Sequence, residues 1–283
     1  MGIRSTVIAA AAVAAACTAS AAAIPSRVAE GRYVTVELIA ARQNAGEVWA
    51  AVRFRLDPGW HVYWRNPGDS GGPPRVEWAQ LPAGWSAGEI EWPTPQRISV
   101  DRLVNYGYAG EVLLPVRLTL PPNSSAPRPG SGDGAIVADV RWIVCHDVCV
   151  PGKAAVGLPA GQIAAPASNE WAALIARARD SVPRPAPKSW RATFREEPEA
   201  FTVSILMDRQ AERGTFFPID ESHIDDAAPQ QVSVSENTLR FRLRKSDQLP
   251  ATPSALRGVV VFTSGAAYEI LAAGINAERS KSR

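Results

Sequence analysis

The stretch Arg141-Trp-Ile-Val-Cys145-His-Asp-Val-Cys149-Val-Pro151 holds two of the three cysteines in this 283-residue chain. Four steps along an extended strand cover about 13 Å, whereas bridged cysteines have Cα atoms roughly 4.4 to 6.8 Å apart, so a straight strand cannot carry the pair as a disulfide. The chain is expected to turn at His146-Asp147-Val148. One strand would end at Cys145 and a second open at Cys149, with the sulfurs facing each other across the mouth of a hairpin. Upstream, Ile136, Ala138, Val140, Trp142 and Val144 make one face of an alternating strand; Val137, Asp139, Arg141, Ile143 and Cys145 make the other. Cys145 therefore falls on the mixed, partly charged face, whereas a cysteine kept for packing would more often join Val140 and Trp142.

Three chemistries fit this spacing: a redox pair, a structural bridge and a metal site. By chain entropy, a bridge closing about five residues constrains the unfolded state by roughly 2 kcal/mol, against nearly 5 for a loop of about a hundred. So short a bridge does little to hold a fold, which favours redox chemistry. A copper or zinc site would need a fourth ligand beside Cys145, His146 and Cys149, and His61 is the only obvious candidate nearby. As redox groups the sulfurs have His146 and Arg141 to favour a thiolate and Asp147 to oppose it, so a modestly reactive thiol is expected.

The flanking sequence reads as strands. Val48, Ala50, Val52, Phe54 and Leu56 alternate with Trp49, Ala51, Arg53, Arg55 and Asp57, as expected of a strand with one buried face, and Tyr33 to Ala41 and Val112 to Leu120 are similar. Turns are dense at Asp57-Pro-Gly59, Asn66-Pro-Gly68, Gly71-Gly-Pro-Pro74 and Pro121-Pro-Asn123. Short strands without helical crossovers imply an antiparallel sandwich. A thioredoxin fold is disfavoured: its redox pair is Cys-x-x-Cys at a helix start, and here the spacing is one residue longer with no helix after it.

Met1 to Ala23 has the layout of a secretory signal peptide: Arg4, an apolar run from Val7 to Cys17, and a small-residue end at Ser20-Ala-Ala-Ala23. Cys17 follows three alanines but lacks the leucine-type residue expected upstream of a lipid acceptor. Removal of residues 1–23 would leave two cysteines in an oxidising compartment, where they can pair. The remaining chain, about 260 residues, suits two domains. Net charge is +2 with no basic block, which argues against nucleic acid and membrane surfaces, and no later apolar run approaches spanning length. No catalytic Ser-His-Asp, nucleotide-binding or paired-carboxylate signature stands out.

Residues 28–160 are expected to form the first domain, interrupted by a Pro/Gly/Ser-rich loop from Ser124 to Gly134. Residues 161–187 should supply a helix, capped by Ser168 or Asn169 with Trp171, Leu174, Ile175 and Ala178 on one side, and the stiff Pro183-Arg-Pro-Ala-Pro187 linker. Residues 188–276 look like a second, smaller sandwich. Phe201 to Met207 alternate there, and hairpins are expected around Ser235-Glu-Asn-Thr238 and Thr263-Ser-Gly265. With no cysteine and only His223, this unit is expected to be a scaffold or docking module.

Gly59-Trp-His-Val-Tyr-Trp-Arg-Asn-Pro-Gly-Asp-Ser-Gly71 puts three aromatics within five residues before a shaped turn. On parity alone, Trp60 and Trp64 go to one face and His61 and Tyr63 to the other. Together with Tyr106-Gly-Tyr-Ala-Gly-Glu-Val-Leu-Leu-Pro115 and Cys145-His-Asp-Val-Cys149-Val-Pro151, this segment resembles the periplasmic N-terminal region of DsbD-type disulfide reductases, particularly the ScsB-like branch. The resemblance covers most of residues 30–160, and Ala267-Tyr-Glu-Ile270 is similar to the second β domain of that branch.

The resemblance implies an all-β chain of two immunoglobulin-like antiparallel sandwiches joined by a short helix and a Pro-rich linker. It implies thiol-disulfide interchange in the periplasm, of the protein-disulfide reductase type and without a cofactor. Cys149 would attack and Cys145 resolve. A cap loop carrying Tyr63, Trp64, Asn66 and Asp69, with His146 nearby, would shield the pair. The partners implied are a thioredoxin-like electron donor, a membrane-embedded DsbD- or ScsB-type protein and periplasmic disulfide-bearing acceptors. Two departures stand out: the chain has no multi-helix membrane domain or thioredoxin-like domain, so reducing power would come from a separate protein, and its cysteines are spaced more closely than in the best-known DsbD members, though as in ScsB-like sequences. The alternative is a docking module with a structural disulfide and an aromatic patch from Trp60 to Trp64.

Overall fold

The computed structural model describes residues 23–44, 47–121, 134–163 and 170–275. The expected export signal apart from Ala23, Cys17, most of the Ser124–Gly134 loop and both candidate helix caps lie outside the described residues.

The first unit opens with Val28–Gly31 (β1), Val34–Asn44 (β2), Glu47–Leu56 (β3), His61–Gly68 (β4), Arg75–Gln80 (β5) and Ser86–Ile90 (β6). It continues with Gln96–Val100 (β7), Leu103–Ala109 (β8), Glu111–Thr119 (β9), Ala135–Cys145 (β10) and Cys149–Pro159 (β11). One sheet runs β1-β2-β3-β9-β6; the other runs β11-β10-β4-β8-β7, with β5 also paired to β10. All their pairings are antiparallel. The sheets pack face to face, as period-2 alternation requires: Leu38, Val52 and Leu114 of the first meet a layer with Val62, Val140 and Val144 of the second. Phe54 and Trp142 touch edge-on across that layer, ring centres 6.2 Å apart. This is the antiparallel sandwich expected from the alternation, immunoglobulin-like as the resemblance implies.

The strand over Val48 to Leu56 departs from its expected single buried face. Trp49 and Ala51 are buried with Ile39, Ala41 and Leu113 beneath Leu174, Ile175 and Ala178 of the helix Glu170–Asp180 (α1). A side chain such as Leu174 or Ile175 stabilises by roughly 1.5 to 3 kcal/mol when fully buried, so the helix between the units is held to the first unit by its own apolar stripe.

The second unit contains Arg184–Pro185 (β12), Arg191–Glu196 (β13), Ala200–Leu206 (β14), Gly214–Pro218 (β15), Gln231–Ser235 (β16), Thr238–Arg244 (β17), Ala255–Phe262 (β18) and Ala267–Gly274 (β19). Its strand order is β15-β18-β19-β13-β14-β17-β16. Phe216 on β15 and Phe241 on β17 have ring centres 5.9 Å apart, although four strands lie between them in that order. A flat sheet would separate them by roughly 24 Å, so the sheet curls back to enclose its own core. Both expected hairpins form, β16 with β17 and β18 with β19. Two short contacts are parallel, β12 and β13 each with β19, so the Pro-rich linker is docked as a sheet edge.

The two units share a core. Phe217 of β15 lies edge-on to Trp64 at 6.4 Å and to Tyr106 at 5.3 Å, and Val259 is buried in the same cluster. Polar contacts surround that seam: Asn66 donates to the Pro218 carbonyl at 2.9 Å, the Tyr106 hydroxyl donates to Asp226 at 3.0 Å, and Arg65 pairs with Glu269 at 2.8 Å. Burial, reinforced by nearby carboxylates, pushes the Asp226 carboxyl up to about 7.

Candidate functional site

Cys145 and Cys149 are opposite partners on the last rung of the β10–β11 hairpin, with Cα atoms 4.2 Å apart and the sulfurs joined. His146-Asp147-Val148 makes the turn, and the His146 amide donates to the Val148 carbonyl at 3.2 Å. Spacing alone forces this arrangement, because a three-residue turn leaves Cys145 and Cys149 as the nearest residues able to pair.

The same rung extends sideways. Cys145 pairs with His61 of β4, and His61 with Ala109 of β8, so Cys149, Cys145, His61 and Ala109 form one row. Neighbours along a row share a face, here the one opposite the core residues Val62 and Val144. Tyr63, two residues beyond His61, points the same way. Its hydroxyl stands 3.7 Å from the Cys149 sulfur. Reaching β11 from β4 requires the Tyr63 side chain to lie across β10, the strand between, and that roofs Cys145.

The two sulfurs consequently differ. Cys145 is only 2% exposed although its face carries Asp139 and Arg141, while Cys149 is exposed and Val148 beside it is 62% exposed. Cys149 is open to solvent at the hairpin tip; Cys145 is buried behind it.

Tyr63 is itself covered. The backbone at Gly71, with φ of +83°, passes over its ring so closely that a Cβ there would collide with it. Only glycine combines that conformation with that approach. Burial raises the Tyr63 hydroxyl above its ordinary value and keeps it a proton donor. Ser70 in the same loop donates to Asn105 Oδ1 at 2.9 Å, and Asn105 Nδ2 lies 3.3 Å from His61 Nε2. With the amide so oriented, Nε2 accepts and the ring proton sits on Nδ1. Burial, with a contribution from His146, lowers His61 below its ordinary value, so the ring beside Cys145 is neutral near pH 7.

The residues expected in a cap loop separate. Tyr63 reaches the sulfur. Trp64, the next residue, points to the opposite face and is buried against Phe217. Asn66 closes a tight turn by accepting from the Gly68 amide at 2.9 Å and clasps the second unit at Pro218. Asp69 pins the start of the loop by accepting from the Val104 amide at 2.7 Å. The covering backbone is Ser70–Gly71, just past the expected segment.

His146 is exposed on the turn, bonded through Nδ1 to Asp147 at 2.8 Å, and its ring centre is 5.9 Å from that of Trp60. Trp60 stacks on Tyr33 at 3.8 Å, so this aromatic shelf flanks the turn rather than filling the core. Ser70, Gly71 and Asn105 are the site residues the sequence reading passes over. The Gly71-Gly-Pro-Pro74 run marks the turn but not what the turn covers. No cluster of metal-binding side chains occurs among the described residues.

Residues 32–159 match the family described as thiol:disulfide interchange protein DsbD, N-terminal. Among solved structures, the N-terminal periplasmic domain of ScsB from Proteus mirabilis superposes with a TM-score of 0.65 at 20% identity, over 86% of this chain and 94% of that one. The periplasmic chaperone SfaE aligns over 84% of this chain and 98% of that one at 8% identity, but its TM-score of 0.19 carries no argument. No curated protein matches the sequence. Residues 32–159 are thus a DsbD-type N-terminal domain, and the two-unit chain has the fold of the ScsB N-terminal periplasmic domain.

Proposed function

We propose that this chain is a periplasmic electron relay that exchanges thiols and disulfides through Cys145 and Cys149. The observation that carries the reading is the asymmetry of the pair: Cys149 is an exposed residue at a hairpin tip, while Cys145 is buried behind it on the strand that Tyr63 crosses. The family match to residues 32–159 supports the same chemistry.

In the oxidised protein, a thiolate of a thioredoxin-like donor attacks the exposed Cys149 sulfur. The Cys145–Cys149 bond breaks, and Cys145 leaves with the electron pair and takes up a proton. A second donor thiolate attacks the intermolecular disulfide at the donor's own sulfur, releasing Cys149 and leaving the donor oxidised. The reduced pair then runs the steps in the other direction on an acceptor: Cys149 thiolate attacks the acceptor disulfide, and Cys145 attacks Cys149 to release the acceptor as a dithiol. Each cycle moves two electrons. Tyr63 stays protonated and faces Cys149, where its hydroxyl donates to the thiolate. Exposed Val148 and the Trp60–Tyr33 stack give the partner an apolar surface beside the reacting sulfur. Among the described residues no helix is long and apolar enough to cross a membrane.

The test is a Cys145→Ala variant incubated with periplasmic extract and resolved without reductant. Mixed disulfides through Cys149 to thioredoxin-like proteins are expected. A variant that stays unlinked, while its Cys149 reacts freely with small alkylating agents, overturns the reading.

A further inference from the structure

A cleft of about 560 Å³ opens on the outer face of the β10–β11 hairpin, bounded by Gly72 and Pro73 of the loop that covers Tyr63. The register sets out its floor. Below the cysteine rung comes Ile143 opposite Pro151, and below that Arg141 sits between Lys153 on β11 and Arg75 on β5. Ile143, Pro151, Arg141, Lys153 and Arg75 all line the cleft. Ile143, Arg141, Pro151 and Lys153 share the Cys149 face because they lie an even number of positions from the cysteines on the same two strands, and Arg75 shares it as the rung partner of Arg141.

Three cations in one row across adjacent strands repel one another, and nothing in the fold requires them there. Among the described residues Arg141 has Glu77 at 4.0 Å, and neither Arg75 nor Lys153 forms an ion pair. The acidic row, Glu77 opposite Asp139, lies one rung farther from the disulfide and outside the cleft. Moving from Cys149, a ligand therefore meets an apolar rung and then a positive one. Four positions along the strand separate Cys145 from Arg141, roughly 13 Å, about the span of four extended residues.

We infer that this cleft binds short acidic cysteinyl peptide segments. The ligand sulfur sits at Cys149, apolar atoms cover Ile143 and Pro151, and carboxylates three or four residues away rest on Arg75, Arg141 and Lys153. The inference rests on the exchange chemistry proposed above and specifies its substrate class. Reduced Cys149 attacks the peptide disulfide, one peptide thiolate leaves and is protonated, and Cys145 displaces the second from Cys149. The protein pair is oxidised by two electrons and the peptide disulfide is reduced by two.

The experiment oxidises fully reduced protein with three symmetrical hexapeptide disulfides carrying two glutamates, two glutamines or two lysines three residues from the cysteine. Rates are read by alkylation and mass, in about 20 mM and 500 mM salt. The glutamate peptide is expected to react about tenfold faster than the lysine peptide at low salt, with the glutamine peptide between and the spread shrinking at high salt. An Arg75→Gln/Arg141→Gln/Lys153→Gln variant should react with all three at the glutamine rate. Equal rates for the three peptides on the unaltered protein overturn the acidic-peptide cleft and leave the relay standing. Failure to react with any of them, when small alkylating agents do react, removes the relay itself.

Discussion

The Tyr63 hydroxyl on β4 stands 3.7 Å from the Cys149 sulfur on β11, having crossed the strand that carries Cys145. One side chain thus does two things: its ring lies across the strand that carries buried Cys145, and its hydroxyl faces the Cys149 sulfur. Removing the hydroxyl alone separates them. Tyr63→Phe keeps the ring but should raise the Cys149 thiol pKa in the reduced protein and slow its alkylation at pH 7 by about tenfold or more, the effect of losing one hydrogen bond to a charged group. The pH profile of iodoacetamide reaction checks this. An unchanged profile removes Tyr63 from the chemistry.

Gly71→Ala tests the roof. A methyl group at this left-handed position must displace the Tyr63 ring, so a stability loss of at least about 1 kcal/mol is expected, with Cys145 becoming open to alkylation in the reduced protein. Denaturant midpoints and mass-resolved labelling of the two thiols report both effects.

Phe217→Ala tests the seam between the units. Losing a buried ring that touches Trp64 and Tyr106 should cost about 3 to 5 kcal/mol and split a single unfolding transition into two. Calorimetry distinguishes the outcomes; one sharp transition at the original temperature would show that the units are not coupled through this residue.

Two buried groups should give stability opposite slopes against pH. Asp226 has its carboxyl raised to about 7 from an ordinary 3.8, so between those values the folded state holds a proton that the unfolded chain has released, and stability falls as pH rises. His61 is lowered from 6.5, so below that value the unfolded chain gains a proton the folded protein resists, and stability falls as pH drops. Asp226→Asn should remove the fall in stability between about pH 4 and 7, and His61→Gln the opposing fall as pH drops below 6.5, in urea titrations at a series of pH values. A limb unchanged by its variant assigns that slope to another group.

The hairpin is legible in the sequence because it depends on local geometry: five residues from Cys145 to Cys149 can be bridged in few ways. The alternation that builds β2, β3, β9 and β10 is legible for the same reason. The surroundings of Trp64 and Asn66 are not legible, since what covers a strand face depends on a surface supplied more than a hundred residues later by Phe217 and Pro218. The strand Gly214–Pro218 that carries them lacks a long alternating run. Cys145 reads as belonging to an open, charged face, and parity is right about its direction. The residue is nevertheless buried, on a strand crossed by a tyrosine reaching over from β4, which no local pattern records. Likewise Gly71 reads as a turn residue, and its contact with the Tyr63 ring emerges only once the sheet is assembled.

The most direct measurement is the reduction potential of the Cys145–Cys149 pair, taken by equilibrating the purified protein with thiol-disulfide buffers. A relay requires a couple that biological donors can reduce, so a value above about −300 mV is predicted. A value well below that, with the bridge surviving equilibration with reduced thioredoxin, would mark the disulfide as structural and contradict the account.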